Sequence, residues 1–205
     1  MLGDKPLINW TIEVALGLPE ICGVLVSTDD PEIALIASEA GASVPWLRPE
    51  ILATDEATSV DVAIHALDWF EKENGSVQGL LLLQPTSPFR NRETIQQGIK
   101  SFETHGNLPV VGVSPVQDHP MWSLKEQGEY VVPLLENNGF GSRSQDLPPI
   151  YVTNGYFYLI KPSTLRESHS FIGPRNVPLV IDSQREAIDI DSDWDFQLAE
   201  FLIKT

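Results

Sequence analysis

The residues with the plainest chemical potential form the run Ile188–Asp195, Ile-Asp-Ile-Asp-Ser-Asp-Trp-Asp. Asp189 and Asp191 stand two positions apart in what reads as a strand end, Ala187–Ile190. Alternate residues of a strand share a face, so the two carboxylates converge while Ile188 and Ile190 turn to the core. Paired carboxylates with room for water and phosphate oxygens are a hard donor set suited to Mg²⁺. The expectation is a metal site serving a phosphate compound. Two other readings compete. Asp189, Asp191, Asp193, Asp195 and Glu200 fall on EF-hand ligand positions, but Trp194 occupies the place where that loop needs glycine. Trp194, Leu198, Phe201 and Leu202 also keep a helical apolar stripe that a calcium loop lacks. Capping of a last helix, Ser192–Lys204, suits Ser192, Asp193 and Asp195 and leaves the pair at 189 and 191 available.

Holding such a pair requires a sheet, and the chain alternates strand and helix signals in the manner of an α/β protein with a mainly parallel sheet. Pro6 opens a helix over residues 6–16. Gly23–Thr28 reads as a buried strand, Asp30-Pro31 caps the next helix, and Gly41 ends it. A short strand covers Ser43–Trp46, and an ordered loop follows over 47–57. Thr58 and Asp61 form a capping-box pattern before a helix from about Ser59 to Glu73. Gly79–Leu83 reads as a central strand, and Gln84–Arg90 is the loop at its C-terminal end, where open α/β sheets bind ligands. A helix over Arg92–Thr104 and strands at Val110–Val113, Gly155–Ile160 and Val177–Ile181 complete the pattern. Residues 117–150 differ: Pro, Gly, Asn and Gln punctuate short pieces such as Tyr130–Leu134, which suggests an arm or insertion.

A length of 205 residues suits a single domain with a real core. The net charge of −16 argues against a nucleic-acid partner, since phosphate backbones need a basic surface. A small anionic substrate needs only a few local cations, a metal or helix N-termini. No apolar run reaches the roughly 20 residues of a membrane span. The lone cysteine, Cys22, precedes an apolar strand, reads as buried filler, and fits a reducing cytoplasm.

Seven segments in order resemble the acylneuraminate cytidylyltransferases, or CMP-sialic acid synthetases. They are Lys5-Pro6-Leu7-Ile8 with Thr11-Ile12-Glu13; Val26-Ser27-Thr28-Asp29; Arg48-Pro49 with Leu52-Ala53-Thr54-Asp55; Leu82-Leu83-Gln84-Pro85-Thr86-Ser87-Pro88-Phe89-Arg90; Gln145-Asp146-Leu147-Pro148; Asn154-Gly155; and Ile188-Asp189-Ile190-Asp191. The resemblance implies a three-layer α/β/α fold of the nucleotide-diphosphosugar-transferase type, with a mixed sheet and a dimerisation arm. It implies transfer of CMP from CTP to a nine-carbon 2-keto sugar acid, with release of pyrophosphate and dependence on Mg²⁺. Carried over by position, Asp189 and Asp191 hold the metal, and Arg48, Ala57 and Ser59 lie beside the cytidine. Ser59 has an independent claim, because it begins a helix whose N–H groups and hydroxyl can meet a nucleotide. Gln84, Tyr158 and Phe171 face the sugar acid, Asn154-Gly155 shapes the floor, and the 117–150 arm pairs with a second subunit as a homodimer.

The sequence also departs from that family. The family opens with a central strand and a basic, glycine-containing triphosphate loop, whereas Met1-Leu2-Gly3-Asp4-Lys5-Pro6 starts where that loop has finished. The expectation is an N-terminally incomplete domain, short by roughly 20 residues on ordinary element lengths, with a gap beneath the helices. Ser144 stands where the family often has a second Arg, with Arg143 one place earlier, and Val152 stands where many have another. Arg143 could still pair with the sugar carboxylate, or be a solvated loop residue. Two alternatives follow: a non-catalytic nucleotide-binding remnant of the same fold, and a 3-deoxy-manno-octulosonate cytidylyltransferase.

Overall fold

The computed structural model describes residues 1–54 and 56–204. Asp55, which closes the Leu52–Asp55 motif, and Thr205 lie outside the described residues. Four strands form the main sheet in the order β1 (Leu80–Leu82), β5 (Tyr151–Ile160), β2 (Val110–Pro115), β6 (Val177–Val180). β2 and β6 are parallel, but β5 runs antiparallel to both β1 and β2. The sheet is therefore mixed, as the family resemblance implies, and not mainly parallel as strand–helix alternation alone suggests. The cause is local: no helical crossover separates β2 from β5, so the chain leaves through the 117–150 arm and returns beside the same strand in the opposite sense.

Helices cover both faces. Leu81 and Leu83 join Phe157 and Leu159 in a core with Ile95, Ile99 and Phe102 of α4 (Arg92–Thr104). Leu80 and Leu82 join Tyr158 and Ile160 in a second core with Val60, Ala63 and Ile64 of α3 (Ser59–Asn74) and Leu165 of α5 (Pro162–Ser168). The period-2 alternation of the two strands thus divides their side chains between two helical layers. Each fully buried side chain, such as Ile95, Phe157 or Leu165, contributes about 1.5–3 kcal/mol. Gly98 lets α4 close on the sheet, because a Cβ there would lie 2.5 Å from the Phe157 ring. Smaller cores seat α1 (Leu7–Leu16) against α2 (Pro31–Glu39), and α6 (Asp193–Lys204) against Leu2 and Phe89.

The helix starts follow their capping chemistry. Asp30 accepts from the N–H groups of Glu32 and Ile33 at 2.7 and 3.2 Å. Thr58 and Asp61 form the reciprocal capping box of α3. Ser192 and Asp195 repeat it at α6, with Asp195 Oδ2 accepting from Ser192 N at 2.9 Å. The short helix α5 carries no strong sequence signal and is an addition of the structure.

Four expected strands are corrected. Gly23–Thr28 and Ser43–Trp46 make only one bridge, between Leu25 and Ser43. Ala187–Ile190 forms no named strand among the described residues: Ala187 N and Ile188 N bond back to Ser183 O and Arg185 O at 2.9 and 3.4 Å, and Ile190 N ties the segment to Thr86 O at 2.8 Å. Gly79–Leu83 is not central: β1 lies at the sheet edge, and its outer side opens on a cleft of about 1140 Å³. Leu25 and Val26 line the same cleft, so neither segment gains a second ladder partner among the described residues. Cys22 also lines it and is exposed, not buried filler.

The arm folds on itself. β3 (Leu124–Gln127) and β4 (Tyr130–Pro133) pair through a two-residue turn whose Gly128 has φ +65°. The Trp122 indole N–H donates to Gly139 O at 2.8 Å, and His119 Nε2 donates to Pro148 O at 3.1 Å, closing its base.

Candidate active site

The cleft opens beyond the C-terminal end of β1, and Gln84, Pro85 and Thr86 form its rim there. Arg48, Ala57 and Ser59 line the same cleft. Arg48 is fixed by its neighbours: its guanidinium donates to Ser27 O and, at 3.3 Å, to Ser27 Oγ, and its backbone N donates to Thr28 O at 2.7 Å. Ser59 opens α3 directly after the Thr58 cap. The three residues expected beside a nucleotide therefore line the same cleft as Gln84.

Gly155 marks the second half of the site. It sits in β5 with φ +69°, a conformation that disfavours a side chain. Between the Val111–Tyr158 and Val113–Thr153 pairs, β2 contributes Gly112 alone and β5 contributes Asn154–Phe157. This bulge turns Gly155 toward the loop after β1. A Cβ on Gly155 would lie 2.8 Å from Gln84 Oε1, 2.9 Å from Asp189 Oδ2 and 3.4 Å from Ser87 Oγ. Gln84 thus belongs both to the cleft wall and to the cluster that holds Asp189.

Beneath the cluster runs a buried polar network. Arg90, only 5 % exposed, donates from Nε to Tyr156 O at 2.6 Å, from Nη2 to Gly155 O at 3.1 Å, and from Nη1 to Ser87 O and, at 3.0 Å, to Thr11 Oγ1. Burial pushes its pKa down to about 10, a fall that Tyr156 and Asp189 oppose, so it remains a cation at neutral pH. The Tyr156 hydroxyl accepts from Asn91 N at 3.1 Å and donates to Glu186 at 2.8 Å, and burial raises its pKa above the ordinary tyrosine range. Neither Arg90 nor Glu186 stands out by residue type. The only sequence signal for Arg90 is its place at the end of Gln84–Arg90.

The other expected residues divide. Asn154 is not directed into the cleft: its amide donates to Ser114 Oγ at 2.9 Å and accepts from Tyr156 N at 3.2 Å, so it holds the bulge and leaves the floor to Gly155. Tyr158 and Phe171 contact each other with ring centroids 5.8 Å apart, but they belong to the α3–α5 core and do not line the cleft. Arg143 is exposed and forms a two-pronged pair with Asp146, at 2.8 and 3.2 Å, outside the cleft lining.

Asp189 and Asp191 fit a hard cation in part by their own state. Asp189 Oδ1 is buried and accepts no hydrogen bond among the described residues. Asp191 is exposed, and only its backbone N–H is engaged, donating to Asp195 at 3.3 Å. Ile188 and Ile190 pack inward beside Phe89, so the alternation expected of the run survives without a regular strand. No group of three or more His, Cys, Asp or Glu side chains gathers among the described residues, so water and phosphate oxygens would complete the coordination.

A mixed sheet between two helical layers, with a cleft that runs along the outer edge of β1 and past its C-terminal end, defines an α/β/α protein of the open-sheet class. The chain belongs to the cytidylyltransferase family, whose model matches residues 1–187 and stops short of Asp189. It is 39 % identical over 212 residues to the CMP-N,N'-diacetyllegionaminic acid synthase of Legionella pneumophila, covering 100 % of this chain and 88 % of that protein. It is 30 % identical to the N-acylneuraminate cytidylyltransferase of Escherichia coli, covering 97 % of this chain but only 46 % of that longer protein. The fold is shared with a CTP-complexed CMP:2-keto-3-deoxy-manno-octonic acid synthetase, with a TM-score of 0.69 at 12 % identity, over 100 % of this chain and 90 % of that one.

Proposed function

We propose that the chain transfers CMP from CTP to a nine-carbon 2-keto sugar acid and releases pyrophosphate, with Asp189 and Asp191 as the ligands of Mg²⁺. One observation carries the reading. Gln84 lines the same cleft as Arg48, Ala57 and Ser59, and its Oε1 lies against the same glycine as Asp189. A cytidine against Arg48 and Ser59 leaves Gln84 for the sugar acid and the aspartates for the phosphate end. Mg²⁺, when bound, would offset the negative charge of the phosphates. The protein's own contribution is position: Arg90 fixes the loop and the bulge, and the bulge fixes the gap between Gln84 and Asp189. The acceptor class rests on the names of the Legionella and Escherichia relatives.

The arm supports a homodimer. Leu124, Tyr130, Val131, Leu134 and Phe140 are large apolar residues left exposed on it, a pattern that marks contact surfaces.

The test is to incubate the chain with CTP, Mg²⁺ and a panel of sugar acids that includes 3-deoxy-manno-octulosonate. Pyrophosphate release and the mass of the CMP-sugar are then measured. Turnover with a nine-carbon acid supports the proposal. Turnover with the octulosonate alone moves the assignment to that substrate. CTP binding without turnover on any acid favours a non-catalytic nucleotide-binding partner of the same fold.

A further inference from the structure

Two buried oxygens near Gly155 have no hydrogen-bond partner among the described residues: Asp189 Oδ1 and Ser87 Oγ. Ser87 is fully buried. A hydroxyl removed from water without a partner is costly. Asn9 Oδ1, Trp46 Nε1 and His65 Nδ1 are orphans too, but they belong to other parts of the fold. Beside Gly155 an orphan donor and an orphan acceptor stand at the same point of the fold.

The backbone makes this juxtaposition systematic. The bond from Ile190 N to Thr86 O ties the two chain segments together. Ser87 follows Thr86 and Asp189 precedes Ile190, so both flank the tie. Their side chains reach the same place, since Ser87 Oγ and Asp189 Oδ2 both lie against the position of a Gly155 Cβ, at 3.4 and 2.9 Å. Ser87 has little freedom to leave. Its carbonyl is gripped by Arg90, and its N–H donates to Gln84 O at 3.3 Å.

We infer that Ser87 is a positioning residue for Asp189: its hydroxyl, which makes no bond to the carboxylate in the structure, donates to it through one water or a small rotation once the cation is bound, and fixes which oxygen is turned toward the cation. The inference rests on the metal reading of Asp189 and Asp191 given above. Losing the hydrogen-bond partner of a ligand carboxylate typically weakens metal affinity by about 10–100-fold. The hydroxyl is costly in the free protein and useful only once the carboxylate is engaged.

The experiment titrates Mn²⁺ alone into the 205-residue chain and follows the free ion by electron paramagnetic resonance. The parent, Ser87→Ala and Asp191→Asn are compared, with a thermal melt of each. The expected result is Mn²⁺ affinity lowered about 10–100-fold in Ser87→Ala, with a melting temperature equal to the parent's or higher because a buried orphan has been deleted. A merely structural serine gives the reverse: lower Tm and unchanged affinity, which overturns the inference. If the alanine variant does not fold, Ser87→Cys keeps a similar volume and a weak donor. Its affinity should then fall below the parent's, and equality overturns the inference. Failure of the underlying metal reading has a different signature, in which parent and Asp191→Asn bind Mn²⁺ equally or not at all.

Discussion

The guanidinium of Arg90 holds the carbonyl of Gly155 at 3.1 Å, across 65 residues of sequence. The same side chain takes the carbonyls of Ser87 and Tyr156 and the hydroxyl of Thr11. One buried cation thereby fixes the loop after β1 to the bulge of β5. Arg90→Met should leave those acceptors unsatisfied and cost about 3–5 kcal/mol, the scale of breaking a buried charged network. Urea denaturation measures it. Lysine should not rescue the loss, because it lacks the planar fork that reaches several acceptors at once. A Lys variant as stable as the parent would contradict this account.

Gly155→Ala should strain the backbone and press on Gln84 and Asp189 together. The positive φ alone costs about 1–3 kcal/mol. Displacing the two side chains should lower turnover on the order of 100-fold, the scale of a misplacement near 1 Å. Thermal melting and pyrophosphate release separate the two effects. Loss of stability with unchanged turnover would show that the bulge is only architectural.

Asp191→Asn should keep the fold, since the carboxylate is exposed and takes no hydrogen bond among the described residues. Its metal-dependent turnover should be abolished. Circular dichroism checks the first expectation and pyrophosphate release the second. Undiminished release removes Asp191 from the metal site.

Replacing Tyr130 and Val131 together by serine should leave the monomer fold intact. Both are exposed on a hairpin that pairs only with itself. Light scattering after size exclusion should show a dimer for the parent and a monomer for the variant. A parent that is monomeric at high concentration rules out the arm as a dimer contact.

The start of α3 should be acid-sensitive. The Thr58 hydroxyl, and then its backbone N–H, hold Asp61 below the ordinary aspartate pKa. A depressed folded-state pKa gives stability that is present above the unfolded value and lost as pH falls through the folded one. Asp61→Asn should therefore be less stable than the parent near neutral pH and equal to it in strong acid. Urea midpoints for both proteins across that range provide the check. A gap that persists in strong acid would mean that the capping charge is not its cause.

The parts legible in the sequence were those with local causes. Helix α4 follows from its own apolar spacing, and the Asp30 and Thr58 caps from side chains that bond a few residues away. Glycine spacing could not reveal the direction of β5, which depends on how the arm returns to β2. The strand expected at Gly23–Thr28 has the right residues, but a strand is defined by partners, and this segment has one bridge. In the site, Asp189 and Gln84 were recognisable by type and position, and the structure brings them together. The family resemblance gives Asn154 to the site's floor beside Gly155, yet its own hydrogen bonds serve the bulge. Arg90 was hidden because a buried arginine is indistinguishable in sequence from a solvated one.

The bulge also divides β5 into two mutational territories. Tyr151–Thr153 are exposed toward the arm, whereas Asn154–Phe157 are all buried. Because the register changes between them, the outer residues can vary without turning any inner side chain to the opposite face. Substitutions that retune the arm should accumulate without a folding penalty on the sheet, and the catalytic end should drift slowly. One irregularity in one strand lets the two halves of the molecule evolve at different rates.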